Sequence, residues 1–436
     1  MPVYNIAFWI CSFFLVGVLI ISVFNNILMV ALAAFLISAC LIVYKKYNFA
    51  LLFLFVIVGA LYSQEFNKIQ NSANVPFGTN EFSGIITKIQ QSDTSQSIVL
   101  NLQLPYSGNV KINTKPYPSF VYGDLVKVKG NIQKPPPESA NYYAKEGVLG
   151  IASFPQIELI KSGQGSPIKS VLLSFRNKII GIFKQILPSE KAAFMAGLTI
   201  GAREDFSKDL TENMKQSGTT HLVALSGYNI SIIAIAVMSI LGGFLSRQLA
   251  FYFATAIIVL FVLMTGAEAS VVRAAIMGII ALLATQAQRI YSLRNAIVIA
   301  AFLMVLFNPN VLVFDVGFQL SFLALLGIVY LAPAIKKLLN INTEEIFNWK
   351  ENLAQTLSAQ LFVLPLLIST FGFFSLSSIF ANVLILGVVP YAMGLGFIMA
   401  GLGFISIFLA KIIGLIENVI LAYMLFIIDL FSRLSL

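Results

Sequence analysis

Long apolar stretches separated by short polar breaks run through most of this chain, and their lengths predict membrane-spanning helices. A helix needs about 20 residues to cross a bilayer. The amino-terminal part has three such stretches, at residues 3–24, 27–43 and 49–63, and the third is short for a span. Eight more follow, at residues 229–245, 249–265, 269–287, 293–307, 311–331, 354–371, 377–410 and 412–431. The pattern predicts a polytopic α-helical membrane protein with about 10–11 spans, which begins with a three-span anchor over residues 1–64.

The segment after this anchor changes from long apolar runs to short alternating ones. Alternation is clear at residues 82–87, 97–102, 110–112 and 125–129, and Ser-Gly-Asn, Tyr-Gly-Asp and Lys-Pro-Pro-Pro separate these stretches. Period-two alternation broken by turn residues is typical of antiparallel strands. A closed barrel hides the edges of about five strands most economically. Residues 65–165 are therefore predicted to be an inserted small β-barrel domain of OB type.

A third pattern begins after the β domain. Residues 167–187 place apolar side chains at helical spacing with basic residues between them, which predicts an amphipathic helix over residues 166–189 in the outer membrane surface. Residues 192–201 are apolar but only about half a span long, and residues 203–215 are densely charged. This stretch predicts either a half-helix that enters the membrane and turns back or a hairpin outside it. Residues 190–436 as a whole are predicted to form a helical channel domain.

Composition and charge support the membrane assignment and orient the chain. Only 11% of the residues are charged and 58% are hydrophobic, which excludes a soluble globular protein of this size. The loops at residues 266–268, 308–310 and 372–375 contain neither Lys nor Arg. Because basic residues favour the cytoplasmic side, the alternation predicts a cytoplasmic amino terminus and an extracytoplasmic β domain. The basic loop positions are Lys45, Lys46, Arg247, Arg289, Arg294, Lys336, Lys337, Lys350 and Lys411.

The segment from Gly218 to Ser231 is polar where a membrane helix would be apolar, and it contains the only histidine, His221. In lipid a backbone leaves the helix only where protein or water satisfies its amides, so an interrupted helix usually lines a cavity. The alternative is a helix cap with a buried, hydrogen-bonded histidine.

Glu268, Arg273 and Asp315 are the charged residues that we select as candidates for the passage. A charge inside a span costs on the order of 2.5–3.5 kcal/mol at the membrane centre unless it pairs or meets water. Glu268 and Arg273 point about 140° apart on a regular helix, so Arg273 with Asp315 is the better pair. This pair fits a structural salt bridge and a water-filled passage equally well. The candidate path residues are His221, Ser226, Gly227, Asn229, Glu268, Arg273, Asp315, Gln319 and Asn382.

Aromatic and basic residues of the β domain are candidates for contact with nucleic acid, because bases stack on aromatic rings and Lys pairs with phosphates. The same aromatics are equally typical of core and turn positions. The candidates are Lys111, Lys115, Tyr117, Tyr122, Lys127 and Lys129.

Three blocks in order along the chain resemble the signatures of the ComEC family of competence proteins. They are His-Leu-Val-Ala-Leu-Ser-Gly-Tyr-Asn-Ile from His221, the stretch from Thr265 to Ala274, and Phe-Asp-Val-Gly-Phe-Gln-Leu-Ser-Phe from Phe314. The resemblance implies an inner-membrane channel that imports single-stranded DNA during natural transformation, with a separate nuclease and DNA-translocating motor proteins as partners. Many members have a second histidine where this chain has Asn229, so a two-histidine role does not carry over.

The resemblance also sets expectations about what the chain lacks. Full-length ComEC proteins commonly continue into a metallo-β-lactamase-like domain, which needs several His and Asp ligands. With one His, this chain is expected to be a short form without that domain, with no metal, no cofactor and no enzyme activity.

Two other functions remain open on the sequence. A secondary transporter or exporter of a polar solute or lipid also uses broken helices and polar groups at mid-membrane. An intramembrane serine hydrolase would use Ser226 with His221, but residues five apart on a helix diverge by about 140°, which makes His221 a poor base.

Overall fold

The computed structural model describes residues 3–24, 26–43, 47–91, 95–225, 227–338, 349–372 and 377–434. The chain divides into two compact units, Met1–Ser170 with Ala287–Val316 and Val171–Gln286 with Gly317–Leu436. In chain order the described α-helices are α1 (Val3–Phe24), α2 (Ile27–Val43), α3 (Tyr47–Asn71), α4 (Ala140–Lys145), α5 (Pro167–Ile186), α6 (Ser189–Ile200), α7 (Lys208–Gln216), α8 (Gly227–Gly242), α9 (Arg247–Met264), α10 (Ala269–Gln286), α11 (Leu293–Phe307), α12 (Val311–Phe314), α13 (Val316–Leu326), α14 (Ala332–Leu338), α15 (Trp349–Phe371), α16 (Ser377–Leu386), α17 (Val389–Ile405) and α18 (Ile407–Arg433).

The helices confirm the polytopic membrane fold. Seven described helices are long and apolar enough to cross a membrane, and α16 and α17 form an eighth candidate that bends by 51° at its break. The shorter apolar helices Ile27–Cys40, Asn229–Gly242 and Leu293–Phe307 account for the remaining predicted runs.

Three runs differ from their predicted form. The third run is not short, because α3 stays helical through its polar end at Asn71. Asp315 separates α12 from α13, so the span there is Val316–Leu338, with a π-helical turn at Gly327–Leu331. The run at residues 377–410 breaks after Leu386, and Pro390 lies in the first turn of α17, where its fixed φ fits and its missing N–H costs nothing.

A closed five-stranded barrel follows α3 in the first unit and confirms the predicted OB-type domain. Its strands pair in the circular order β1-β2-β3-β5-β4-β1, with β3 and β5 parallel and the other neighbours antiparallel. A sixth strand, which the pattern did not predict, adds to β4. The strands are β1 (Gly78–Gln91), β2 (Gln96–Leu102), β3 (Asn109–Thr114), β4 (Leu125–Gln133), β5 (Val148–Ser153) and β6 (Gln156–Lys161).

The barrel interior is filled by the apolar members of the alternating strands. Residues two apart on a strand point to the same face, so the odd or even set of each strand turns inward. Burial of this set from water supplies the main favourable term for the domain. The fully or almost fully buried side chains are Ile86, Ile98, Leu100, Val110, Ile112, Val126, Val128 and Ile132.

Helices α5 and α6 pack within the second unit. All residues of α6 from Ala192 to Ile200 are buried, so the half-span stretch lies inside the helical bundle. On α5, Phe183 is fully buried. A Cβ atom on Gly403 would lie 2.4 Å from Ile182, and one on Gly414 would lie 2.3 Å from Ile186, so these glycines allow the close approach of α5 to α17 and α18. The apolar face of the amphipathic helix therefore has a protein partner along part of its length.

Candidate functional site

The segment that carries His221 belongs to the second unit, where it leaves the helical conformation and packs against α16. Gly218 has φ of 66°, which glycine adopts freely, and a Cβ atom there would lie 2.4 Å from Cβ of Ser378. Ser217 and Thr219 are fully buried, and their hydroxyl oxygens lie 2.8 Å apart. A 3₁₀ turn follows at Thr220–Leu222, and α8 begins at Gly227. The interruption is thus a packed turn that satisfies its own polar groups.

His221 itself is exposed on this turn. Its Nδ1 atom lies 3.2 Å from the carbonyl oxygen of Gly218. The ring is therefore oriented by the turn, and its other nitrogen faces away from that contact. This arrangement differs from the buried histidine of the helix-cap hypothesis.

Arg273 lies between α8 and α13 in the second unit. Its guanidinium donates a hydrogen bond to the carbonyl oxygen of Ser321 and lies over the ring of Phe322, with 5.7 Å from Cζ to the ring centroid. Its Nε atom is buried without a hydrogen-bond partner among the described groups. A Cβ atom on Gly227 would lie 3.3 Å from its terminal nitrogen Nη2, so the missing side chain at Gly227 leaves room for the cation.

Asn229 and Glu268, two other predicted site residues, also have partners within the second unit: a backbone carbonyl and an arginine. Asn229 is buried and donates from Nδ2 to the carbonyl oxygen of Leu198, 3.2 Å away, which ties α8 to α6. Glu268 forms an ion pair with Arg203 at 2.5 Å, and both side chains are about two-fifths exposed. Glu268 therefore has Arg203 as its ionic partner, and it lies just before α10, the helix that carries Arg273.

Asn382 lies in a second polar group formed by α15 and α16. Gln360 donates from Nε2 to the hydroxyl of Ser378 at 2.8 Å, and Ser378 lies one helical turn before Asn382. The oxygens of both amides, Oε1 of Gln360 and Oδ1 of Asn382, are buried without a partner among the described groups. Buried acceptors of this kind cost free energy unless something else supplies a donor.

Asp315 belongs to the first unit, where it pairs with Lys145 at 3.2 Å. The carbonyl oxygen of Lys145 also accepts a bond of 2.7 Å from Asn308, so α4 of the β domain is tied to this stretch. Arg273 and Gln319 belong to the second unit. The expected pairing of Arg273 with Asp315 stays a prediction, and so does the convergence of all the candidates in one passage. Ser226 and the Lys45-Lys46 loop lie outside the described residues.

The β-domain candidates separate into covered and open side chains. Tyr122 accepts a bond from the Ser166 backbone, and Lys169 lies over its ring at 4.7 Å, so its face is occupied. Tyr117 is 79% exposed on the loop between β3 and β4, and Lys115 is exposed beside it. These two remain open to a ligand.

The β4 lysines already have a carboxylate partner. Lys127 and Lys129 bind Glu81 across the β1–β4 pair, at 3.0 and 3.5 Å. The hydrogen bond from Lys127 lowers the pKa of Glu81 below its usual range. These lysines are less available to phosphates than the sequence alone indicated.

Sequence reasoning missed an aromatic and basic cluster around α4. The ammonium of Lys111 lies 5.5 Å and 5.4 Å from the ring centroids of Tyr142 and Tyr143, and that of Lys145 lies 5.2 Å from Tyr142. The pair Tyr142-Tyr143 beside Lys145 was the signal available in the sequence. Among the described residues, no three His, Cys, Asp or Glu side chains are grouped so that they could hold a metal ion.

Comparisons with known proteins cover the second unit best. Residues 198–436, more than half of the chain, match the sequence model of a family described as competence protein. The chain is 30% identical over 223 residues to ComE operon protein 3 of Bacillus subtilis strain 168, across 50% of this chain and 27% of that protein. The chain thus spans little more than a quarter of the length of this curated relative. No solved structure matches it.

Proposed function

The chain belongs to the competence protein family, and we propose that it is an inner-membrane channel that imports single-stranded DNA during natural transformation. In this proposal the helical bundle conducts the strand, and the chain itself catalyses no reaction. A separate nuclease would remove the other strand, and motor proteins would move the DNA.

The observation that carries the proposal is the environment of Arg273. A guanidinium is always charged and presents a flat set of donors that suits phosphate oxygens. Here it is partly buried beside Gly227, and it retains an unused Nε–H among the described groups. Arg273 lies within the segment that matches the family. A phosphate that passes this point would meet a fixed donor in surroundings of low dielectric.

The proposed orientation follows from the basic loops. Arg247, Arg289, Arg294 and Lys411 would face the cytoplasm, and the loops without Lys or Arg would face outside. The β domain would then lie outside, where Tyr117 with Lys115, and the α4 cluster of Tyr142 and Tyr143, would meet the incoming strand.

Transformation frequency in the organism that encodes the protein tests the proposal. In a deletion strain complemented with Arg273→Ala, we expect about 10- to 100-fold fewer transformants per cell at equal protein level in the membrane, because a hydrogen bond to a charged group contributes about 1.5–3 kcal/mol. The matched control is Arg294→Ala, since Arg294 also lies over an aromatic ring, that of Phe8, but in the first unit. Normal transformation in the deletion strain would refute the proposal.

A transporter of a polar solute is the second candidate. The bent pair of α16 and α17 has the form of the discontinuous helices that secondary transporters use. Beside it lie amide oxygens of Gln360 and Asn382 that have no partner among the described groups. Loss of solute export with intact DNA uptake in the deletion strain would favour this candidate.

A further inference from the structure

Glu417 is a fully buried acid in the interior of α18, a helix of 27 residues. It lies more than two helical turns from either end of that helix. Neither of its carboxyl oxygens has a hydrogen-bond partner among the described protein groups. It lies in the last predicted span, residues 412–431, but it is not one of the candidate path residues.

The residues on the same face of α18 are apolar. Gly414, Leu421 and Met424 follow the spacing of one helical face with Glu417, and all three are buried in the bundle. The atoms nearest to a Cβ on Gly414 belong to Ile186 of α5 and Met399 of α17. A carboxylate without a partner in such surroundings costs several kcal/mol, whereas the neutral acid costs far less. The protonated form is therefore the one that fits this structure.

The helices packed against α18 supply few groups that could charge Glu417. Neither α16 nor α17 contains an acidic or basic residue, and Tyr391, their titratable residue, is exposed. Helix α7 contacts α18 through Asn213 and Asp429, three turns beyond Glu417. The charged residues of α7 are Lys208, Asp209, Glu212 and Lys215.

Helices α5 and α6 supply the remaining charges. On α5, Arg176 and Lys184 pair with Glu204 and Asp205. The other basic residues of α5 are Lys169 and Lys178, and Glu190 at the start of α6 is exposed. Lys178 is exposed, and so is Lys411, which lies six residues before Glu417 on α18. This leaves Lys191 of α6 as the cation that contacts the helix beside the acid.

Lys191 binds the residue that directly follows Glu417. Its Nζ atom donates to the backbone oxygen of Asn418 at 3.0 Å and to the side-chain Oδ1 of Asn418 at 2.6 Å. Consecutive Cα atoms are 3.8 Å apart. Side chains of consecutive residues on a helix point about 100° apart, so the Lys191 ammonium lies beside the turn that carries Glu417. The long, flexible lysine would have to change rotamers to meet the carboxyl group.

We propose that Glu417 is a proton-binding site inside the bundle, with Lys191 as its ionic partner in the deprotonated state. With the proton bound, the acid is neutral and Asn418 holds Lys191, as in this structure. When the carboxyl group releases its proton to water, the carboxylate draws the ammonium away from Asn418, and the contact between α6 and α18 changes. The inference concerns the proton alone and holds for a DNA channel or a solute transporter.

Infrared spectroscopy of the full chain in lipid nanodiscs tests the site. The difference between wild type and Glu417→Gln at neutral pH should contain the carbonyl band of an un-ionised carboxylic acid, because buried carboxyl groups can keep the proton up to about pH 8–9. The band should disappear at higher pH. The amide is neutral and of the same shape as the protonated acid, so this variant should fold. The matched control, Glu204→Gln, removes an exposed acid paired with Arg176 and should give no such band.

Substitution of Lys191 distinguishes a proton site with an ionic partner from a buried acid without one. In Lys191→Met the carboxylate loses its partner, so the pH at which the Glu417 band disappears should rise by about 1–3 units. Lys191→Arg should restore the wild-type value. Absence of the un-ionised band in wild type would overturn the site, and an unchanged midpoint in Lys191→Met would overturn the role of Lys191.

Discussion

The β barrel of the first unit and the helical bundle of the second differ in how many buried polar residues without a hydrogen-bond partner they contain. The barrel interior is mostly apolar, and its buried polar residues are Gln96 and Asp124. Asp124 accepts a hydrogen bond from the backbone N–H of Val121, but its other carboxyl oxygen and the amide of Gln96 have no partner among the described groups. Other charges of the barrel form exposed pairs such as Glu81 with Lys127. The bundle retains polar atoms in its interior, where they have no partner among the described groups. These atoms belong to Thr255, Arg273, Ser321, Gln360, Asn382 and Glu417.

The difference indicates where the function lies. A buried polar group without a partner costs about 1–3 kcal/mol. Six residues of this kind in one bundle are a large cost for a fold of ordinary stability, which is about 5–15 kcal/mol. Such groups are explained if a polar cargo, water or a proton meets them. The barrel has two such residues, Gln96 and Asp124, and its stability follows mainly from apolar burial.

Substitution of a buried barrel residue tests whether burial of apolar side chains stabilises the barrel, and it should have the greatest effect on the free energy of unfolding. Leu100→Ala removes a fully buried side chain and should lower the free energy of unfolding of the barrel by about 2–5 kcal/mol, through lost burial and a residual cavity. Hydrogen exchange of barrel amides in the full chain measures this loss. Leu104→Ala is the control, because Leu104 is 91% exposed. Equal protection of the barrel amides in Leu100→Ala and Leu104→Ala would show that apolar burial at Leu100 does not stabilise the barrel.

A smaller effect tests how closely the bundle helices pack. A Cβ atom on Gly327 would lie 2.4 Å from the backbone oxygen of Ser358, so Gly327→Ala should destabilise the bundle by about 1–3 kcal/mol. Gly394 has no other residue's atoms near its Cβ position, and Gly394→Ala should leave stability unchanged or slightly raised. Thermal unfolding of the purified variants in detergent compares the two. Equal melting temperatures would show that the bundle is loosely packed at Gly327.

The smallest effect concerns the exposed charges of the barrel. Hydrogen bonds from Lys127 and Lys129 lower the pKa of Glu81, so its carboxylate stabilises the folded barrel above the unfolded pKa of about 4.3. This contribution is lost as the pH falls through the lowered pKa. Glu81→Gln should remove it and leave a slightly flatter pH dependence between about pH 3 and pH 7. Hydrogen exchange at both ends of that range measures the change, and a steeper dependence in the variant would contradict it.

Local pattern predicted the elements of this fold well. The apolar runs predicted the helices that are long enough to span a membrane, together with three shorter apolar helices. The alternation around Ile98–Leu102 predicted the barrel. Both patterns depend on neighbours along the chain. The sixth strand, β6, was missed because almost all of its residues are exposed, so it has no regular alternation of apolar and polar positions. The protein partner of α5 was missed because it depends on Gly403 and Gly414, far along the chain.

The candidate site was less predictable from the sequence. The three sequence blocks indicated the family, which the comparison confirms, and they contain Arg273 and Gly227. In the structure the Arg273 guanidinium lies beside Gly227. The partner of Glu268 is Arg203, a residue that counted only as part of a charged surface stretch. Glu417 was not selected, although an acid inside the predicted span at residues 412–431 is itself a signal. Burial and pairing depend on the tertiary neighbours of a residue, which a single sequence does not contain.

Cysteine accessibility tests whether water reaches the polar groups inside the bundle. Ser321→Cys and Ser358→Cys are a matched pair in a background without Cys11 and Cys40. The Ser321 hydroxyl is buried without a partner among the described groups, whereas the Ser358 hydroxyl binds the carbonyl oxygen of Ala354. In intact membranes a charged methanethiosulfonate reagent should modify the cysteine at position 321 and spare the one at position 358. Equal protection of both cysteines would contradict the account.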